Sequence, residues 1–329
     1  MEFFRLNKKK VIVFITAVII LLVLVFASYR FGGPWGRNYE GDDIPYRALK
    51  NAQSIIKPAA DKAAQSILDR TLNNTGYMRW RRYSGELDML LEEADVLTGG
   101  ENEVLVALSL PPQEGIIALY KREGGRLKYS GRIPSLLPVK GIETLDNARI
   151  ENRLLVVDQF QDEMLGAFFN AAYRDIFIWR DGHFDRVLGL LTDYNAYWNQ
   201  AWDGVKEDPH WLWLNQKSEV EYADRGETVR IRHIQSLLMS TVTGFQNIPD
   251  QRDFAVRYFR MVKEDYRWNS DWGLYIMGEY TDNLTGEMVA LLEDYRTNVS
   301  SFIRGTGFEM VKVMDRDGKI SIIPAERLE

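Results

Sequence analysis

Six aromatic residues, Tyr194, Tyr197, Trp198, Trp202, Trp211 and Trp213, fall within twenty positions and alternate with Asn195, Asn199, Gln200, Asp203 and His210. Flat rings beside amides and a carboxylate suit two kinds of recognition. A ring face packs on the C–H surface of a sugar while the amides take its hydroxyls; Trp and Tyr also anchor contacts with peptides and proteins. Tyr194, Tyr197, Trp198, Trp202, Asp203 and Trp211 are therefore candidate ligand-binding residues. The alternation Trp211-Leu212-Trp213-Leu214 is equally that of a strand burying one aromatic face in a core.

Reactive chemistry is sparsely represented. The chain holds no cysteine, which removes thiol nucleophiles and thiolate metal ligands. Its three histidines, His183, His210 and His233, stand in no zinc-ligand spacing. No Gly-x-Ser-x-Gly elbow, phosphate-binding loop or dinucleotide fingerprint occurs. Adjacent carboxylates at Glu92/Glu93 and Asp162/Glu163 are ordinary surface features. Glycoside hydrolysis needs two carboxyls held roughly 5–9 Å apart across a cleft, and Asp203 would be the carboxylate to test in that role. These residues give no catalytic assignment, no metal and no cofactor.

The elements that carry the aromatic stretch read as strands. Val104–Leu110, Ile116–Tyr120 and Arg153–Asp158 are short apolar runs bounded by Gly, Pro, Asn or Asp. Four segments share one form, a strand, a Gly/Asp/Asn turn and a second strand: Ala118–Tyr129, Phe177–Val187, Tyr266–Tyr275 and Val313–Ile322. Gln235–Thr243 and Asp250–Asp265 fit either strand or helix. An apolar strand followed by an aromatic-tipped hairpin resembles the blades of FG-GAP or integrin-α-type β-propeller repeats, similar to segments in many membrane-anchored bacterial proteins of unknown function. The resemblance implies a mainly-β fold of partial or irregular propeller-like repeats, and a two-sheet β fold fits the same strand count. The calcium loop of that family would fall near residues 94–103, which offer one Asp and a late acidic pair, too few oxygen ligands for Ca²⁺.

Upstream, residues 11–29 form nineteen consecutive uncharged positions after Arg5, Lys8, Lys9 and Lys10. As a helix the run spans ~28 Å, about the thickness of a bilayer core, and the preceding cations favour a cytoplasmic N-terminus. A cleaved signal peptide is the competing reading. The expected organisation is a basic cytoplasmic tail (1–10), a transmembrane anchor (11–29), a linker (30–46), a membrane-proximal helix (47–75) restarting near Pro58, and an extracytoplasmic β-rich domain (76–329). Residues 1–10 carry a net +3 of the chain's −6, so the remainder is acidic at −9, which disfavours nucleic acid as a partner. The absence of cysteine in an exported chain of this size points to a bacterial envelope. The sequence thus predicts a single-pass membrane protein whose domain binds or scaffolds an envelope protein or a glycan, with a glycan-acting hydrolase as the alternative.

Overall fold

The computed structural model describes residues 43–53, 57–97, 99, 102–165, 167–244, 246–301 and 309–329, within the unit Asp42–Glu329. The expected cytoplasmic tail and the anchor at 11–29 lie outside these residues. No helix among the described residues is long and apolar enough to cross a membrane. The expected linker ends earlier than residue 46, because Ile44–Pro45 (β1) pairs in a sheet and Tyr46–Ala52 (α1) is already helical. The second helix, Lys57–Thr75 (α2), restarts one residue before Pro58, where the missing N–H belongs to a first turn that needs no donor. Ile67, Leu68 and Leu72 of α2 are buried against the first sheet, so this helix is part of the domain.

The protein is mainly β, with three antiparallel sheets. The first joins β1 to β2 (Asp88–Ala94), β3 (Glu103–Leu110), β4 (Glu114–Glu123) and β5 (Arg126–Leu136) in the order β1-β5-β4-β3-β2. The second is an eight-stranded meander of β6 (Val139–Leu145), β7 (Leu154–Glu163), β8 (Phe169–Arg180), β9 (His183–Asn199), β10 (His210–Ala223), β11 (Thr228–Thr243), β12 (Phe254–Asn269) and β13 (Leu274–Ile276). The third contains β14 (Gly278–Asp282), β15 (Glu287–Asp294), β16 (Met310–Met314) and β17 (Ile320–Pro324). All four predicted hairpins form, at β4/β5, β8/β9, β12/β13 and β16/β17. The two segments of mixed signal, Gln235–Thr243 and Asp250–Asp265, are strand wherever they fall in β11 and β12. At the β8/β9 turn Asp181 and Gly182 have φ of 51° and 82°, the pair of positive values that a two-residue turn of matching twist demands.

Period-two alternation explains the layering. Val104, Val106, Leu108 and Leu110 face the helices, whereas Leu105 and Ala107 face β6–β8 through Leu155, Val157 and Phe177. The strands are apolar on both sides because both sides are covered. Leu154, Val156, Ile176 and Ile178 point the opposite way, against Val229, Ile231, Tyr266 and Tyr275 of β11–β13. The eight-stranded sheet therefore curls until its two halves share a core. Farther along this concave face, Leu191, Tyr194, Ala196, Trp198, Leu212, Leu214 and Leu237 close around Val299, which follows β15. The strands run as four successive four-stranded meanders, but β9 pairs with β10, so the second and third are fused into one sheet.

Candidate functional site

Register divides the predicted aromatic set between two faces. Tyr194, Ala196 and Trp198 pair with Gln216, Leu214 and Leu212, and all six lie on the concave side. Trp198 thus packs in the core, and Tyr194 stacks on Phe169 at 6.2 Å with its hydroxyl pKa raised by burial. Tyr197 and Trp211 lie on the convex side, opposite Trp213 and Asn199. The two leucines of Trp211-Leu212-Trp213-Leu214, and not its tryptophans, fill the shared core.

On the convex face the rings form two groups. Tyr197 stacks on Trp213 at 5.4 Å and 19°, and Phe254 closes edge-on against both. Beside them, Trp202 meets Trp211 edge-on at 5.4 Å, with Phe168 leaning on both. Trp202 sits in the short 3-10 turn Gln200–Asp203. Its ring is held out because Asn199, fully buried, fixes the turn: its Oδ1 accepts from Ala201 N and its Nδ2 donates to Gly244 O. Asp203 is exposed at the end of the same turn. Trp202 is 55% exposed, whereas Trp211 beneath it is 2% exposed and its Nε1 is buried without a hydrogen-bond partner among the described residues. Phe168 has φ +55°, a conformation costing about 1–3 kcal/mol for a non-glycine residue, and its carbonyl accepts from Tyr197 N.

A row of amides crosses the same face. Asn195 pairs with Asn170 on one side and Asn215 on the other; its Nδ2 donates to Asn170 Oδ1 and its Oδ1 accepts from Asn215 Nδ2 and Trp213 Nε1. Sequence reasoning missed Phe168 and Phe254 as members of this surface. Neither has a local signal, since each reaches the group from a different strand end.

Sequence reasoning also missed a buried polar set on the concave face. Ser218 pairs with His233 across β10 and β11, with Oγ 2.7 Å from Nδ1, while His233 Nε2 stands 3.4 Å from Glu264 Oε2. Tyr266 OH donates to Glu264 Oε2, and Thr297 Oγ1 donates to Oε1. Burial pushes the Glu264 carboxyl up, but the bonds from His233, Thr297 and Tyr266 outweigh it and hold the group below its ordinary value. A hydroxyl, an imidazole and a carboxylate in this order resemble an acyl-transfer set. Here each carboxylate oxygen is already engaged and Ser218 Oγ also lies 3.3 Å from Gln216 Nε2 and 3.4 Å from the Leu191 carbonyl, so the set works as a strut between strands. Elsewhere, a polar cleft of about 600 Å³ is lined by Arg149, Glu227, Arg267 and Trp268, with Arg149 and Glu227 paired at 2.8 Å. Among the described residues no group of three or more His, Asp or Glu is placed to hold a metal ion. In the stretch where the calcium loop of that family would fall, Glu103 Oε2 accepts from Val96 N and Leu97 N at 3.0 and 3.1 Å, so this carboxylate caps the backbone.

The chain matches no known protein family, and no curated protein matches it. Among solved structures, that of Sqt1 from Saccharomyces cerevisiae shares 9% identity over 73% of this chain and 80% of that one, with a TM-score of 0.19, too low to bear on the fold.

Proposed function

We propose that this chain is a single-pass membrane-anchored binding or scaffolding protein of the bacterial cell envelope, in which a propeller-like run of β-meanders presents the convex aromatic face of β9–β10 to a protein partner outside the membrane. The apolar run at 11–29 supports the anchor. The observation that carries the binding reading is the half-exposed Trp202 packed edge-on against Trp211, whose buried Nε1 has no hydrogen-bond partner among the described residues. A buried donor without an acceptor is rare in folded proteins. Displacement of Trp202 offers that donor to a partner's carbonyl while Phe168, Trp211 and Tyr197 supply apolar contact. The amide row favours a glycan as the second reading. It is the weaker one, because Tyr197 and Trp213 spend a ring face on each other and Asn195 is saturated by its neighbours.

A photoreactive amino acid placed at Trp202 in the full chain, in its own membrane, tests this reading. A discrete protein adduct at that position, and none at the exposed Leu284, is the expected result. Absence of any protein adduct at Trp202 overturns it, and retention on cell-wall glycan in that case selects the sugar reading.

A further inference from the structure

β12 is the edge of the eight-stranded sheet over most of its length. It pairs with β11 from Phe254 to Arg267, but β13 covers its other side only at Arg267, Trp268 and Asn269. Among the described residues no strand pairs with the outer side of 254–266. Natural edge strands of this length are normally shortened, bulged away or covered, because the free N–H and C=O groups template pairing with another chain. This one is also apolar: Val256, Tyr258, Phe259 and Met261 are all at least half exposed.

We infer that the free edge of β12 is a homodimer seam, at which two copies of this chain pair antiparallel about a two-fold axis through Met261. The occupant follows from the charges along the edge. Arg257, Lys263 and Asp265 are exposed and make no ion pair within the described residues. A two-fold axis at Met261 sets residue i of one copy opposite 522 − i of the other from Tyr258 to Glu264, and the strict register ends at the bulge that leaves Arg257 without a partner on β11. The bulged Arg257 then comes level with Asp265 at both ends of the seam, and Lys263 lies opposite Phe259 twice. Registers centred one residue away, on Arg260 or Val262, keep like faces together but bring Arg257 level with Lys263 or with Arg267, like charge against like charge. Registers two residues away pair Arg257 with Met261 or leave Lys263 opposite itself. The cations that would repel an unrelated basic edge thus select this register. The pairing would join two eight-stranded sheets edge to edge, on a different part of the surface from Trp202.

Because the chain has no cysteine, Met261→Cys in the full-length protein introduces a single thiol. Directly opposed residues of an antiparallel pair lie about 4.5–5.5 Å apart at Cα, within disulfide reach. Oxidation of this variant in membranes should give a disulfide-linked dimer. Phe254→Cys, seven residues from the axis, should stay monomeric. Adding Arg257→Glu should slow cross-linking through Met261→Cys about tenfold, and the further exchange Asp265→Arg should restore it. Equal cross-linking at 261 and 254, none at 261, or no rescue by the charge exchange overturns the seam. Adduct formation at Trp202 reports on the convex face separately.

Discussion

His233 Nε2 stands 3.4 Å from Glu264 Oε2, although the two residues lie on neighbouring strands two register steps apart, opposite Val262 and Ile231 respectively. With the carboxylate at Nε2 that nitrogen carries the proton, so Nδ1 accepts from Ser218 Oγ. Three strands are thereby tied to Thr297 in the segment that closes the concave face.

Loss of the Glu264 charge is the direct probe of this strut. Glu264→Gln should destabilise the domain by about 1–3 kcal/mol at neutral pH, because a buried network loses its acceptor. The sign follows from the depressed carboxyl: its stabilisation is present above the unfolded carboxylate range and is lost as pH falls through the lower folded value. Denaturant unfolding between pH 3 and 7 should show the variant's deficit shrinking with acidification.

Glu293 behaves oppositely. Burial raises its carboxyl pKa, Lys312 and Asn298 only partly offset this, and the Glu264 charge adds to the rise. A raised folded value favours the fold at low pH, and that contribution disappears as pH climbs through it. Glu293→Gln should therefore raise the thermal midpoint at neutral pH and leave it unchanged near pH 3, a contrast that calorimetry at the two pH values detects.

Arg260 fastens the segment following β15. Its guanidinium donates to Gln235 Oε1, to the carbonyls of Arg296, Thr297 and Asn298, and to Ser301 Oγ. A lysine cannot reproduce this planar fork. Arg260→Lys should cost about 1–3 kcal/mol and accelerate amide hydrogen exchange in 295–301, while β4 and β7 stay protected.

Much of the fold was legible because strand alternation and turn chemistry are local. Val104–Leu110 and Leu154–Val157 read as strands, and their continuous apolarity reflects two covered faces. The curl of the sheet was not legible, since whether β9 pairs with β10 depends on partners far along the chain. The same holds for the site. The cluster 194–213 stood out by composition, but only the register separates Tyr194 and Trp198 in the core from Tyr197, Trp202 and Trp211 on the convex face. Ser218, His233 and Glu264 meet solely through register, so their spacing in sequence carried no signal.

The two tryptophans at the centre of the convex face separate folding from recognition. Trp211→Ala empties a buried site and should cost about 3–5 kcal/mol. Trp202→Ala should cost under about 1 kcal/mol while raising the yield of the partner adduct formed from a photoreactive group at Tyr197, because no ring then has to move aside from Trp211. Chemical unfolding and the adduct yield measure the two effects independently.

The proposed recognition face can be tested most directly by thiol labelling of Trp202→Cys in the otherwise cysteine-free full chain, using a membrane-impermeant maleimide, with Leu284→Cys as the exposed reference. An engaged face outside the membrane predicts that both positions label in intact cells, and that position 202 is slowed relative to 284 when compared with the purified protein. Labelling of either position only after lysis contradicts the extracytoplasmic placement, and an unchanged ratio between cells and purified protein contradicts a partner at Trp202.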